Sequence, residues 1–258
     1  MATAIEKLTM ILTYHEIVPH SSRYLYSLSC ERLEEHVRLL VALRSEPSPV
    51  TGLTMTFDDG HSSHYRYAVP VLQDHSCRGI FFVTVGWTGM RPGYMDWQQL
   101  RDIVSMGHEV QSHGWSHKYL TYCSAPELSA ELQRSKKTLE DRLGTPVEAL
   151  SAPGGVWNAI VAEACVAAQY KRLYISDPWF RSKPSPELQI LGRAQVRRTL
   201  DTRGVRRLLA AERNPFSMMR ATSRLKQAVR AGLGDRIYHQ LWLRLAKAGE
   251  EIKEETYF

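Results

Sequence analysis

Seven short apolar runs recur between residues 8 and 196, each set off from the next by polar or helix-patterned sequence. They are LTMILTYH (8–15), GLTMTF (52–57), GIFFVTV (79–85), GHEVQS (107–112), PVEALSAP (146–153), KRLYIS (171–176) and QILGRAQV (189–196). Runs of this length suit strands, and GIFFVTV, which lacks polar alternation, suits a strand covered on both faces. Amphipathic stretches lie near or between them. In ERLEEHVRLL, Leu33, Val37 and Leu40 share one helical face, and DWQQLRDIVSM and NAIVAEACVAA have helical patterning of their own. The helix that follows Ser124 carries Glu127 three residues on, a capping-box signature. Strands that alternate with helices have to run parallel, so the expected architecture is α/β. A closed or nearly closed β/α barrel is preferred over an open doubly wound sheet.

Composition narrows the class. A chain of 258 residues with 43% hydrophobic content can fill one barrel core. Cys30, Cys77, Cys123 and Cys165 are scattered and form no CxxC pair, which argues against a disulfide framework and a cysteine zinc site. No run approaches the roughly 18 apolar residues that span a bilayer, and no basic, apolar, small-residue leader is seen, so the expected location is the cytoplasm.

Charge is placed unevenly. Residues 193–247 hold fourteen Lys and Arg against three acids. After Pro215 the alternation stops, and Ile237, Leu241 and Leu245, with Tyr238 and Trp242 beside them, make an apolar stripe on a basic helix. The expected division is a barrel over 1–213 and a basic amphipathic helical tail over 214–258. A helix packed on the barrel and a helix lying on an anionic membrane surface both fit the pattern. No nucleic-acid-binding motif accompanies the charge, so no nucleic acid is expected as a partner.

In a β/α barrel the loops after the strands gather on one face. Here those positions supply Tyr14 and His15, Asp58 and Asp59, His113 and His117, Ser151 to Gly155, Asp177 to Trp179, and Arg193. Adjacent carboxylates repel, and a turn needs only one, so the second acid of TFDDG asks for a cation. Two histidines four apart with a carboxylate from another strand give the donor set of a catalytic zinc. The spacing and the α/β pattern argue against the rival reading, a non-haem iron oxygenase.

TFDDG (56–60), SHGWSH (112–117) and APGG (152–155), supported by LTYHEI (12–17) and RGIFFVTVGW (78–87), together resemble the polysaccharide deacetylase family, the chitin-deacetylase-like NodB homology group. The resemblance covers about residues 8–200. It implies a distorted, TIM-like (β/α)7 barrel that removes N-acetyl groups from amino sugars with a divalent metal, most often Zn2+. It further implies Asp58 as general base toward a metal-bound water, with Asp59, His113 and His117 as the ligands. Pro153, Gly154, Gly155 and Trp179 are the substrate-binding candidates, and Trp87 and Trp115 are further candidates for sugar stacking. His61, His64 and His108 match no ligand position and are read as surface or packing residues.

Two departures stand out. Ser151 occupies the position where the family carries an arginine that steadies the base; Arg193, on the last strand, is expected to reach Asp58 instead. No late Leu-x-x-His motif follows residue 120, so proton delivery to the leaving amine falls to Asp58 itself or to His15. The expected substrate is an N-acetylated polysaccharide, oligosaccharide or lipid-linked glycan, met in the cytoplasm or peripherally at the inner face of the membrane. The alternatives are a catalytically silent glycan-binding barrel and a metal-dependent hydrolase of another non-peptide C–N bond.

Overall fold

The computed structural model describes residues 8–20, 22–45, 50–180, 182, 185–213 and isolated helical positions between 221 and 237. Its strands are β1 (Leu8–Tyr14), β2 (Glu16–Val18), β3 (Ser27–Ser29), β4 (Val50–Phe57), β5 (Ile80–Val83), β6 (Glu109–Ser112), β7 (Ala149–Ser151), β8 (Arg172–Ile175), β9 (Gln189–Gly192) and β10 (Ala194–Gln195). Its α-helices are α1 (Cys30–Ser45), α2 (Val69–Asp74), α3 (Trp97–Ser105), α4 (Ala125–Leu143), α5 (Ala159–Ala167) and α6 (Thr202–Arg213).

The main sheet is all parallel, in the order β10-β1-β4-β5-β6-β7-β8-β9. Its two ends are consecutive in sequence, because only Arg193 separates β9 from β10. The expected seventh strand therefore exists but changes partner midway. Leu191 pairs with Tyr174 and Gly192 with Ile175 on one side, and Ala194 pairs with Leu12 and Gln195 with Thr13 on the other. The seventh strand thus nearly closes the barrel, and Arg193 stands at the seam.

Alternation along the strands sorts the side chains into two cores. One parity packs against the helices: Met10, Leu12, Phe57, Phe81, Val83, Leu150 and Leu173 lie in a large cluster with Leu33, Val37, Leu100, Leu132 and Val161. The other parity gives a small cluster of Ile11, Ile80, Phe82, Ala149 and Tyr174, which plugs the barrel interior. Above the plug, Thr13 and Thr56 join hydroxyls at 3.0 Å.

Helix starts follow the sequence. Glu127 accepts the Ser124 main-chain N–H at 2.8 Å, and the Asn158 side chain accepts from Val161 at 2.9 Å. Caps of this kind contribute about 1 kcal/mol each. Three features escaped the one-dimensional pattern: the two-stranded β2–β3 sheet, a π-helical turn over His64–Ala68 leading into α2, and α6. No helix among the described residues is long and apolar enough to cross a membrane. Of the apolar stripe expected in the tail, Ile237 is described and exposed, while Tyr238, Leu241, Trp242 and Leu245 lie outside the described residues.

Candidate metal centre and active site

The C-terminal ends of β1, β4, β6 and β7, together with the seam, converge on one group of side chains. Asp58 follows β4 directly, and its N–H bonds the Tyr14 carbonyl at 2.9 Å, which ties the end of β4 to the end of β1. Asp59 then turns the chain with φ 74°, and Gly60 with φ 82° completes the bend. His117, at φ 68°, is also in the left-handed region. That conformation is rare for non-glycine residues, and here the surrounding packing imposes it on two of the three candidate ligands.

Asp59, His113 and His117 are buried, and their ligating atoms all lie within 4.8 Å of one another. Each histidine Nε2 stands 3.2 Å from Asp59 Oδ1. His113 Nδ1–H donates to the Ser151 carbonyl at 2.8 Å, which leaves its Nε2 lone pair aimed at the carboxylate. Lone pairs facing one another inside a protein are unfavourable unless a cation lies between them. The spacing suits one, since neighbouring donors about 2.1 Å from a tetrahedral zinc are roughly 3.4 Å apart. The residues therefore fit a divalent metal held by one oxygen and two nitrogens. The loop that carries both histidines is tied down by Glu131 of α4, whose carboxylate accepts from the N–H groups of Trp115 at 2.8 Å and Ser116 at 2.9 Å and from the Ser116 hydroxyl at 2.6 Å.

Asp58, beside this group, is 3% exposed and faces an arginine fork. Arg193 Nη1 donates to Asp58 Oδ1 and Nη2 to Oδ2, each at 2.7 Å. Nη2 also reaches the Ser151 hydroxyl at 2.6 Å, and that hydroxyl donates to Asp58 Oδ2 at 2.9 Å. Nη1 reaches Thr56 Oγ1 at 3.1 Å, and the guanidinium lies over Phe82 and Tyr174. The residue in the place of the family's arginine is thus part of the same network. Its hydroxyl steadies Asp58 while its carbonyl orients His113.

Burial alone would raise the Asp58 pKa, but the positive charge of Arg193 outweighs it and holds the carboxyl below its ordinary value. For Asp59, burial likewise pushes upward, and interactions with His113 and His117 bring the group well below the usual carboxylate range.

His15 is half-buried against Tyr26, with its Nδ1 enclosed and without a hydrogen bond among the described residues. It lies near enough for its charge to act on both carboxyls. His64 is fully buried and donates from Nε2 to the His15 carbonyl, while His108 accepts the Gly79 N–H at 3.2 Å, so both pack. His61 is half-buried, with Nδ1 2.8 Å from the Ser63 hydroxyl.

The other candidate positions have structural occupations. A Cβ on Gly154 would lie 2.1 Å from the Tyr119 ring, and one on Gly155 would lie 1.9 Å from Ser176 Oγ. Both glycines have positive φ, and Pro153 beside them is buried, so this turn can meet a substrate only with main-chain atoms. Trp179 packs on the helix-side core. Trp115 carries Arg134 3.5 Å over its ring, and Trp87 packs against His117 with Arg91 4.3 Å over it. The motifs gave no sign of Glu131, Tyr119 or the Trp87 contact.

Residues 46–173 match the family model described as polysaccharide deacetylase. The chain is 32% identical over 112 residues to a peptidoglycan-N-acetylglucosamine deacetylase, PgdA, of Listeria monocytogenes, a match covering 43% of this chain and 23% of the relative. It is 29% identical over 150 residues to a chitooligosaccharide deacetylase of Sinorhizobium fredii, covering 55% of this chain and 66% of that one. Among solved structures, the Streptococcus pyogenes deacetylase PplD in complex with acetate superposes with TM-score 0.68 at 19% identity, over 78% of this chain and 97% of that one. A Bacillus cereus polysaccharide deacetylase gives TM-score 0.67 at 22% identity, over 78% and 68%. The last two likenesses concern the fold. With the family model and the curated relatives pointing the same way, the chain carries a polysaccharide deacetylase domain over residues 46–173.

Proposed function

We propose that this protein is a metal-dependent hydrolase that removes N-acetyl groups from amino sugars of a polysaccharide, oligosaccharide or lipid-linked glycan. The observation that carries this reading is the buried Asp59, His113 and His117 group beside an Asp58 gripped by Arg193 and Ser151. A divalent metal, zinc by the chemistry of the donors, supplies when bound an activated water and a Lewis acid for the acetamide carbonyl. Asp59, His113 and His117 would hold it, and the Ser151 carbonyl keeps His113 in the tautomer that ligation needs.

Asp58 takes the proton from the attacking water, and for this it has to be ionised while buried. Arg193 serves that end by neutralising the carboxylate, whose Oδ2 stands 4.0 Å from His113 Nε2. His15 is the candidate donor to the departing amine, with Asp58 returning its own proton as the other route. The main chain of Pro153, Gly154 and Gly155 is proposed to border the substrate.

Residues 1–213 are proposed to form the barrel unit and 214–258 a basic tail. Leu225, Val229, Leu233 and Ile237 are helical, four residues apart and 65%, 43%, 40% and 53% exposed, in a segment rich in Arg and Lys. That combination favours peripheral contact with an anionic membrane surface.

The test is acetate release from N-acetylated oligosaccharides by zinc-loaded protein, with Asp58→Asn as control. Release that the variant loses supports the reading. A protein that binds one equivalent of zinc yet releases no acetate from any saccharide refutes it, and one that binds no metal favours a silent glycan-binding barrel. For the tail, removal of residues 214–258 is expected to abolish co-sedimentation with phosphatidylglycerol vesicles, and unchanged co-sedimentation would refute that part.

A further inference from the structure

Beside His117 the rim of the site carries a cation that the deacetylation chemistry leaves unused. After β5 the chain passes through Trp87 and an exposed loop, Gly89 to Gly93, before returning at Met95. The loop is pinned at several points. Gly89 N–H donates to the Met95 carbonyl at 3.0 Å, Met95 N–H to the Gly60 carbonyl at 2.9 Å, and Ser62 N–H to the Gly93 carbonyl at 2.8 Å. Gly60 directly follows the candidate ligand Asp59, so the loop is fastened to the metal-binding turn itself.

Trp87 stands at the centre of this rim. Its ring is 4.9 Å from that of His117 and 4.7 Å from that of Tyr94. The Arg91 guanidinium lies 4.3 Å over Trp87 and 5.0 Å over Tyr94. Arg91 is exposed, and no carboxylate among the described residues pairs with it. Stacking occupies the flat face of a guanidinium and leaves its N–H edge free, and it orders the side chain before any ligand arrives. Glu16, the acid on the neighbouring β2, stands 3.9 Å from His61 Nε2. Deeper in the site, Asp58 is already neutralised by Arg193. The free charge at this part of the mouth is positive.

We propose that Arg91 recognises an anionic group, a carboxylate or a phosphate, on the saccharide whose acetamide is cleaved. The inference rests on the deacetylase reading and narrows its substrate class to acidic or phosphorylated amino sugars. A planar fork two ring-stacking distances from His117 matches either oxyanion with paired hydrogen bonds, and a short saccharide bridges that span.

The test compares zinc-loaded wild-type, Arg91→Ala and Arg91→Lys proteins on N-acetylglucosamine, its 1-phosphate and N-acetylmuramic acid. The wild type is expected to favour at least one acidic sugar in kcat/KM. Arg91→Ala should cut that ratio roughly tenfold, chiefly through KM, and Arg91→Lys should recover part of it. Whichever acidic sugar gains more identifies phosphate or carboxylate as the recognised group. Binding of glucosamine 1-phosphate and of muramic acid, followed by tryptophan fluorescence, provides a readout without turnover. Acetate release with no acid preference overturns this inference and leaves deacetylation standing. Absent release refutes deacetylation, while binding of either acidic sugar weakened by Arg91→Ala would still support the anion site. Equal binding of both sugars by wild type and Arg91→Ala overturns it.

Discussion

Replacing Arg193 with methionine keeps most of the side-chain volume and removes the fork. The residue is 2% exposed and its side chain makes four hydrogen bonds, two to Asp58 at 2.7 Å and one each to Ser151 and Thr56. Taking one partner from a buried ion pair leaves the other charge stranded, at a cost of about 3–5 kcal/mol. In a domain of this size each kcal/mol lowers Tm by about 2–4 °C, so the expected fall is roughly 10 °C.

The same change acts on chemistry. Burial pushes the Asp58 carboxyl up and the charge of Arg193 is the leading influence that brings it down, so the variant's carboxyl rises. A base works only when ionised, so activity disappears as pH falls through its pKa, and a raised pKa moves that loss to higher pH. Calorimetry and the pH dependence of kcat/KM for acetate release should therefore shift together. Adding Asp58→Asn to Arg193→Met removes the stranded charge and should return part of the stability, which lost packing alone would not do. A Tm within about 2 °C of wild type, with the acid limb unmoved, would refute the reasoning.

Ser151→Ala deletes a buried hydroxyl that accepts from Arg193 and donates to Asp58; a loss of about 1–3 kcal/mol is expected by denaturant unfolding, with a reduced kcat. Gly192→Ala places a Cβ 1.6 Å from the Asp177 carbonyl oxygen, so the seam has to move; the variant should unfold at a much lower temperature and lose activity through displacement of Arg193. Burial brings His36 down from 6.5 to about 4, and the unfolded chain therefore takes up a proton that the native one refuses. The resulting stability is full above about pH 6.5 and declines by about 3 kcal/mol as pH falls to about 4, so His36→Leu should flatten urea midpoints across that window. His64, pushed by burial to about 3, acts in the same direction and leaves part of the slope in place.

Much of this architecture could be read in one dimension, for a physical reason. Strands of a parallel barrel are covered on both faces, so GIFFVTV shows its burial directly, and motifs such as TFDDG and SHGWSH put the chemistry immediately after the strands that present it. What stayed hidden depends on contacts distant in sequence. QILGRAQV is patterned as one strand, and nothing along it tells that pairing passes from β8 to β1 at Arg193. The reach of Arg193 to Asp58 followed from the need of a buried carboxylate, whereas the part played by Ser151 required knowing that its carbonyl lies beside His113. In α6, Val205, Leu208 and Leu209 have helical spacing, but four arginines between 203 and 213 drew attention to charge instead. The cations over Trp87 and Trp115 were equally invisible, because what lies over a ring depends on neighbours distant in the chain or in its loop.

The seam also orders events in time. Asp58 is made early during synthesis, and its counter-charge lies 135 residues later, on the strand that nearly closes the barrel. Until that strand emerges, a nascent chain that packed its first six strands would have to enclose an uncompensated carboxylate, which hydration resists. Final closure and the pairing of Asp58 with Arg193 are therefore one step. A growing chain held at this point remains open, and the buried carboxylate gains its partner only with the completed barrel.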